Sequence, residues 1–315
     1  MMGKIAFIFP GQGAQTVRMG KNLCDNFKEA REVFAEADEA LNFKLSSLCF
    51  DGPETELNLT VNTQPAVLTV SVACLRVIEK NLEITPNYVA GHSLGEYSAL
   101  VGTKAFSFSD GVKAVQKRGQ FMQAAVPEGE GGMAAVLGLS RAQVEEICQE
   151  AAQGEVMTPA NFNCPGQIVI SGAAKALERA IVLAKEKGSP KTVVLSVSAP
   201  FHCALMEPAA KKLKDYLSYV TVNPLAYPVI TNVEAMPNQE AILVKELLIR
   251  QVTHPVLWED SVVAMRERGV STYVEIGPGK ILSGLVKKID KTATRCNVED
   301  TESLKKLEKV WREMH

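Results

Sequence analysis

Histidine is scarce in this chain: four residues among 315, at positions 92, 202, 254 and 315. Imidazole chemistry therefore has few carriers. The seven cysteines, at 24, 49, 74, 148, 164, 203 and 296, form no C-x-x-C pair and have no histidine at metal-ligand spacing, which argues against a metal site and against a disulfide framework. Such an odd, dispersed set predicts a reducing, cytoplasmic location. Charge of one sign is also lacking. With 34 basic and 36 acidic side chains the net charge is −2, which gives no electrostatic reason to expect nucleic acid or an anionic membrane as partner. No apolar run reaches the ~18 residues needed to span a bilayer, because the longest, 66–77, is interrupted by Thr69, Ser71 and Arg76. The amino terminus carries only a short apolar core, too brief for a secretory signal, and predicts an immediate first strand.

What is present is the composition of an ordinary globular protein, 46% hydrophobic and 22% charged, with length for roughly two domains. β-like runs at 5–9 and 87–90 alternate with helix-compatible stretches at 30–41 and 96–102, which predicts an α/β fold with a mostly parallel sheet. The one shift in composition is Pro127-Glu128-Gly129-Glu130-Gly131-Gly132, taken as a hinge. Beyond it, strand 133–137, helix 140–152 capped by Ser140, strands 156–161 and 167–171, helix 175–187 and strand 191–196 follow the β-α-β-β-α-β order of a ferredoxin-like unit. The expected division is a hydrolase-like α/β subdomain from 1–126 and 198–315, interrupted by a small subdomain at 127–197. Further core strands are expected at 229–232 and 273–276, and a terminal helix at 303–313. The cleft between the two parts is the natural place for a substrate.

Gly91-His92-Ser93-Leu94-Gly95 lies between a β-like run and a helix-compatible one. A G-x-S-x-G in that setting is a nucleophile elbow, whose small flanking residues permit a turn that lifts the serine hydroxyl clear of the backbone. A serine needs a base. His202, in the loop Ala199-Pro200-Phe201-His202, is preferred by elimination: the His92 side chain should point away from that of its neighbour, and His254 precedes a proline in a loop. The third member of a hydrolase triad is missing, since Asp110 is the one aspartate between Ser93 and His202 and reads, with Ser109, as a helix cap. A dyad whose histidine is oriented by an amide or carbonyl fits better. In the loop Phe9-Pro10-Gly11-Gln12-Gly13-Ala14-Gln15 a dinucleotide fingerprint fails, because Thr16 stands where its third glycine belongs. Its glycines can instead bring the Gln12 amide to an oxyanion hole shared with Leu94.

Four motifs, Phe9-Pro10-Gly11-Gln12-Gly13, Gly91-His92-Ser93-Leu94-Gly95-Glu96, Ala199-Pro200-Phe201-His202 and Glu275-Ile276-Gly277-Pro278-Gly279, resemble in order and spacing those of the malonyl-CoA:acyl-carrier-protein transacylases. The resemblance runs over essentially the whole chain. It implies a hydrolase-like core with a ferredoxin-like insertion and ping-pong transfer of malonyl from coenzyme A to the phosphopantetheine thiol of acyl carrier protein in fatty-acid synthesis. No permanently bound cofactor is implied, and the coenzyme A thioester is substrate. It further implies Ser93 as nucleophile, His202 as base, Gln12 and Leu94 as oxyanion donors, Gln251 as the residue whose backbone carbonyl orients His202, and Arg118 as the grip on the malonyl carboxylate. Met122, one turn from Arg118, and Asn161, Asn163 and Gln167 are cleft-lining candidates. Two other classes use parts of the same pattern. A serine thioesterase would share the elbow without a reason for a buried arginine, and a non-catalytic acyl-CoA or nucleotide-binding module would keep the glycine loops without needing Ser93.

Overall fold

In the computed structural model, residues 3–197 and 199–314 are described. The strands are, in chain order, β1 (Lys4–Phe9), β2 (Tyr88–Gly91), β3 (Gly131–Leu137), β4 (Met157–Cys164), β5 (Gln167–Ala173), β6 (Lys191–Val194), β7 (Val229–Ile230), β8 (Pro237–Asn238), β9 (Val270–Ile276) and β10 (Thr294–Val298). They form two sheets. The first runs β10-β9-β1-β2-β7-β8, parallel except for the antiparallel edge strand β8. Its central strands are buried on both faces by helices, which is why Ile5, Ala6, Phe7, Ile8 and Phe9 form an unbroken apolar run rather than an alternation.

The second sheet, β4-β5-β3-β6, is antiparallel throughout, and its order together with its two helices makes it the ferredoxin-like insertion. Helix Arg141–Ala152 begins with a capping box in which Ser140 and Gln143 satisfy each other's amides. Helix Ala174–Glu186 packs on the same face of the sheet.

Several sequence expectations shift. The glycine-rich stretch is only partly a connection: Gly131 and Gly132 are the first residues of β3, paired with Ala173 and Gly172. A side chain at Gly131 would collide with Pro200 at 2.5 Å, so this glycine serves close packing against the returning chain rather than flexibility. Ser107, not Ser109 or Asp110, caps helix Phe108–Gln123, its hydroxyl accepting from the Asp110 amide. The apolar run at 66–77 lies inside the 22-residue helix Thr60–Asn81, long and apolar enough by composition to cross a membrane. It is instead the central core helix, with Ala66, Val67, Leu68, Val70, Val72 and Ala73 all buried against neighbouring helices. Thr69 and Ser71 do not interrupt it: both are fully buried within the helix, their hydroxyls without a hydrogen-bond partner among the described residues. Strands β8 and β10 were not anticipated. Ser198, the expected first residue of the returning segment, lies outside the described residues, as do Met1, Met2 and His315.

Candidate active site

The carboxyl ends of β1 and β2 meet at the site. The chain leaves β2 at Gly91 and enters helix Leu94–Gly102 at once, with Ser93 between them at φ 52° and ψ −106°. A positive φ is costly for a side chain with a Cβ, and here it is held by the surroundings. A Cβ on Gly91 would fall 1.9 Å from the Gly95 backbone, and one on Gly95 would fall 2.1 Å from the Phe9 carbonyl oxygen. Both positions therefore demand glycine. Two side chains hold the serine backbone itself: Asn232 Oδ1 accepts from Ser93 N at 2.7 Å, and Gln251 Nε2 donates to Ser93 O at 3.0 Å. Asn232 Nδ2 also donates to Gly91 O at 2.6 Å.

Ser93 Oγ lies 2.8 Å from His202 Nε2, and His202 Nδ1 lies 2.8 Å from the Gln251 carbonyl oxygen. A carbonyl can only accept, so Nδ1 carries the proton and Nε2 is free to take one. His202 has φ 60°, so both members of the pair sit in the strained left-handed region. The ring is 3% exposed. Burial first, and the Arg118 charge second, hold it down at about 3, so the resting imidazole is neutral.

Arg118, 1% exposed, is anchored by Gln64 Oε1 at 2.9 Å and by Gln251 Oε1 at 2.9 Å, and its Nη2 donates to Ser93 Oγ at 2.9 Å. The Tyr97 ring lies under the guanidinium, 5.6 Å from its centroid. The nearest balancing acid is Glu96, reached through an amide: Gln251 Nε2 donates to Glu96 Oε2 at 2.7 Å, and the Asn232 amide donates to the same oxygen at 3.1 Å. Burial raises this carboxyl to about 7.

Ser93, His202, Arg118, Gln12, Leu94, Met122, Asn161 and Phe201 share one inner cavity of about 100 Å³. It continues past Gln12, His92 and Asn161 into an outer cleft of about 570 Å³ lined by the 10–15 loop, by Asn163 and Gln167, and by Leu282 and Leu285. The Gln12 and Leu94 amides donate to no group among the described residues. Gln251 stands behind His202, outside the cavity lining. His92 turns to Asn163 Oδ1 at 2.8 Å, and His254 bonds the Arg250 carbonyl at 2.8 Å on the surface.

Sequence reasoning missed Asn232, Gln64, the Gln251 side chain and the anchoring part played by Glu96. Asn232 had a readable signal, being polar at the carboxyl end of an expected core strand, where parallel sheets place their sites. Gln64 had none: in the sequence it is a single polar residue just ahead of the apolar run 66–77, although it lies inside helix Thr60–Asn81 and is buried.

The acyl transferase domain family model matches residues 6–313. The malonyl CoA-acyl carrier protein transacylase of Bacillus subtilis is 50% identical over 304 residues, 96% of each chain. The solved transacylase of the same name from Clostridium perfringens superposes with a TM-score of 0.95 at 49% identity, covering 99% of this chain and 98% of that one. A malonyl-transacylase solved with a holo type II polyketide acyl-carrier protein gives 0.94 at 43% identity, covering 96% and 97%. With a strained serine, a buried histidine and a buried arginine meeting in one cavity, and with that similarity along its whole length, the chain belongs to the malonyl CoA-acyl carrier protein transacylase family of acyl transferases.

Proposed function

We propose that the protein transfers malonyl from coenzyme A to the phosphopantetheine thiol of acyl carrier protein, in fatty-acid synthesis in the cytoplasm, through a malonyl-Ser93 ester. The observation that carries this reading is the buried Arg118 within hydrogen-bond distance of Ser93 Oγ. A hydrolase of simple esters has no use for a guanidinium there, whereas an acyl group with a free carboxylate does.

In the first half, Ser93 Oγ attacks the thioester carbon as its proton passes to His202 Nε2, and the Gln251 carbonyl holds the ring through Nδ1. The oxyanion lies on the free amides of Gln12 and Leu94, the latter at a helix amino terminus. The carbon–sulfur bond then breaks and coenzyme A leaves with the proton from His202. In the second half the carrier thiol gives its proton to His202, its sulfur takes the malonyl group, and Ser93 recovers its proton. The coenzyme A thioester enters as substrate, and none of these steps calls on a bound cofactor. Residues 1–126 with 198–315 serve as the large subdomain carrying the dyad, and 127–197 as the small one closing the cleft.

Incubation with malonyl-CoA followed by intact-mass measurement and peptide mapping tests substrate, covalency and site together. The expected result is one malonyl adduct on Ser93, discharged by holo carrier protein faster than by water. Rapid hydrolysis with no transfer would favour a thioesterase, and no adduct would favour a binding module. The polyketide-bound relative supports a second reading of the pathway, in which the carrier is a polyketide one. Relative kcat/KM for fatty-acid and polyketide carriers decides between them.

A further inference from the structure

Arg118 does more than a waiting carboxylate receptor needs to do. Its Nη2 donates at 2.9 Å to the same Ser93 oxygen that stands 2.8 Å from His202 Nε2. Its other partners, Gln64 and Gln251, are neutral amides. Its Nε is buried without a partner, and among the described residues no carboxylate forms an ion pair with it. The free enzyme therefore holds a buried cation directly on its nucleophile. Acylation must then create a second cation, the His202 imidazolium, whose Nε2 lies within about 6 Å of Nη2 because both nitrogens reach one oxygen. In an inner cavity this small, little water is available to screen them.

We propose that Arg118 restrains Ser93 and His202 in the free enzyme, and that the acyl group's own carboxylate lifts the restraint by drawing Nη2 off Ser93 Oγ and standing as counter-ion to the imidazolium. The inference rests on the malonyl reading above and deepens it: the diacid is both bound and required to release the nucleophile. The charge of Arg118 already ranks second among the causes that weaken His202 as a base, which accords with that role. Discrimination against acetyl should accordingly appear in the acylation rate at saturation as well as in binding.

The test uses a probe with no carboxylate. Phenylmethylsulfonyl fluoride forms a bond from Ser93 Oγ to sulfur while fluoride leaves and the serine proton passes to His202. Arg118→Met, similar in bulk but without charge or donor, should react with it at least about tenfold faster than wild type, the effect of one charge-assisted hydrogen bond, while malonyl transfer collapses. Arg118→Lys should stay near the wild-type probe rate. Unchanged or slower probe labelling of Arg118→Met overturns the restraint and leaves Arg118 a receptor only. A second arm needs no variant: in a crystal structure of the wild-type malonyl-serine form, Nη2 should lie on the malonyl carboxylate and beyond about 3.5 Å from Oγ, whereas in the acetyl form it should keep that contact. Persistence of the contact in the malonyl form also overturns the proposal. The malonyl-to-acetyl ratio of wild-type kcat/KM reports separately on the underlying reading, so failure of one is distinguishable from failure of the other.

Discussion

Two strand–turn–helix units of the parallel sheet begin alike and end differently. At the end of β2 the chain turns through Ser93 into helix Leu94–Gly102, and the Leu94 amide at the start of that helix is left free. At the end of β9 it turns through Gly277-Pro278-Gly279 into helix Ile281–Ile289, whose first amides are taken by the protein's own carboxylate. Glu275 Oε1 accepts from Leu282 N at 2.9 Å and Oε2 from Ser283 N at 2.7 Å. A helix amino terminus attracts negative charge in either case. One unit satisfies it internally with a carboxylate, while the other leaves the Leu94 amide open, as the proposed oxyanion role requires. Glycine-rich motifs of similar appearance thus differ in whether an acid of the chain fills the helix amides behind them.

The largest expected effects set these units apart. Ser93→Ala should abolish acyl-enzyme formation, read by intact mass, with little change in the denaturation midpoint, since it deletes one hydroxyl from a backbone held by Asn232 and Gln251. His202→Ala should slow acylation roughly 10²–10⁴-fold. An adduct that persists in the alanine variant at 93, or near-normal rates without His202, would move the chemistry elsewhere. Glu275→Ala should do the reverse. It strands two helix amides beneath a buried position, costing about 2–5 kcal/mol of stability, while acylation by the still-folded fraction proceeds at the wild-type rate. Loss of acylation without loss of stability would erase the distinction between the two units.

How far each unit was readable follows the same line. The elbow was legible because its demands are local: a serine at positive φ between glycines, a strand before it and a helix after. The ferredoxin-like order was legible from alternating periodicities and the Ser140 cap. The polar ring behind Ser93 was not, because Asn232, Gln251, Glu96 and Gln64 lie far apart in sequence and meet only when β7, helix Ala241–Thr253 and helix Thr60–Asn81 converge on one cavity. The core helix was misread for the opposite reason. Its hydroxyls looked like interruptions in a linear count, whereas a helix buried on every side tolerates them. The glycines at 131 and 132 looked like a hinge because contact with Pro200 and Leu177 leaves no trace in a single sequence.

Glu96 supplies a prediction of middle size. Burial raises it to about 7, so over the range from its ordinary value up to 7 the native state keeps a proton that the unfolded chain releases, and stability falls as pH rises. His202 works in the opposite sense: held at about 3, it is neutral in the native state while the unfolded imidazole is protonated up to its ordinary value, so stability rises with pH there. The two slopes oppose each other in the wild type. Glu96→Gln keeps an acceptor oxygen for Gln251 and Asn232 but removes one titration, leaving the His202 slope unopposed. Relative to wild type, its stability should climb by on the order of 3 kcal/mol between about pH 4.5 and pH 7, read from denaturant midpoints. A constant difference across that range would mean Glu96 is ionised throughout.

The smallest effect concerns Phe201, which precedes His202 and lines the inner cavity beside Ser93. It is 7% exposed, and a cavity of about 100 Å³ leaves little volume around the acyl α-carbon once the carboxylate is directed at Arg118. A branching methyl there must displace the ring or tilt the carboxylate off the guanidinium. One methyl group is worth only ~1–3 kcal/mol of discrimination, so methylmalonyl-CoA should be a poorer substrate than malonyl-CoA by about 10–200-fold in kcat/KM and not an excluded one. Phe201→Ser should narrow that ratio, chiefly by raising the methylmalonyl value, because the room gained lies next to the α-carbon while the carboxylate contact is kept. Equal specificity constants in the wild type, or a ratio untouched by Phe201→Ser, would shift control of α-branching from this ring to another side chain lining the same cavity, such as Met122 or Met133.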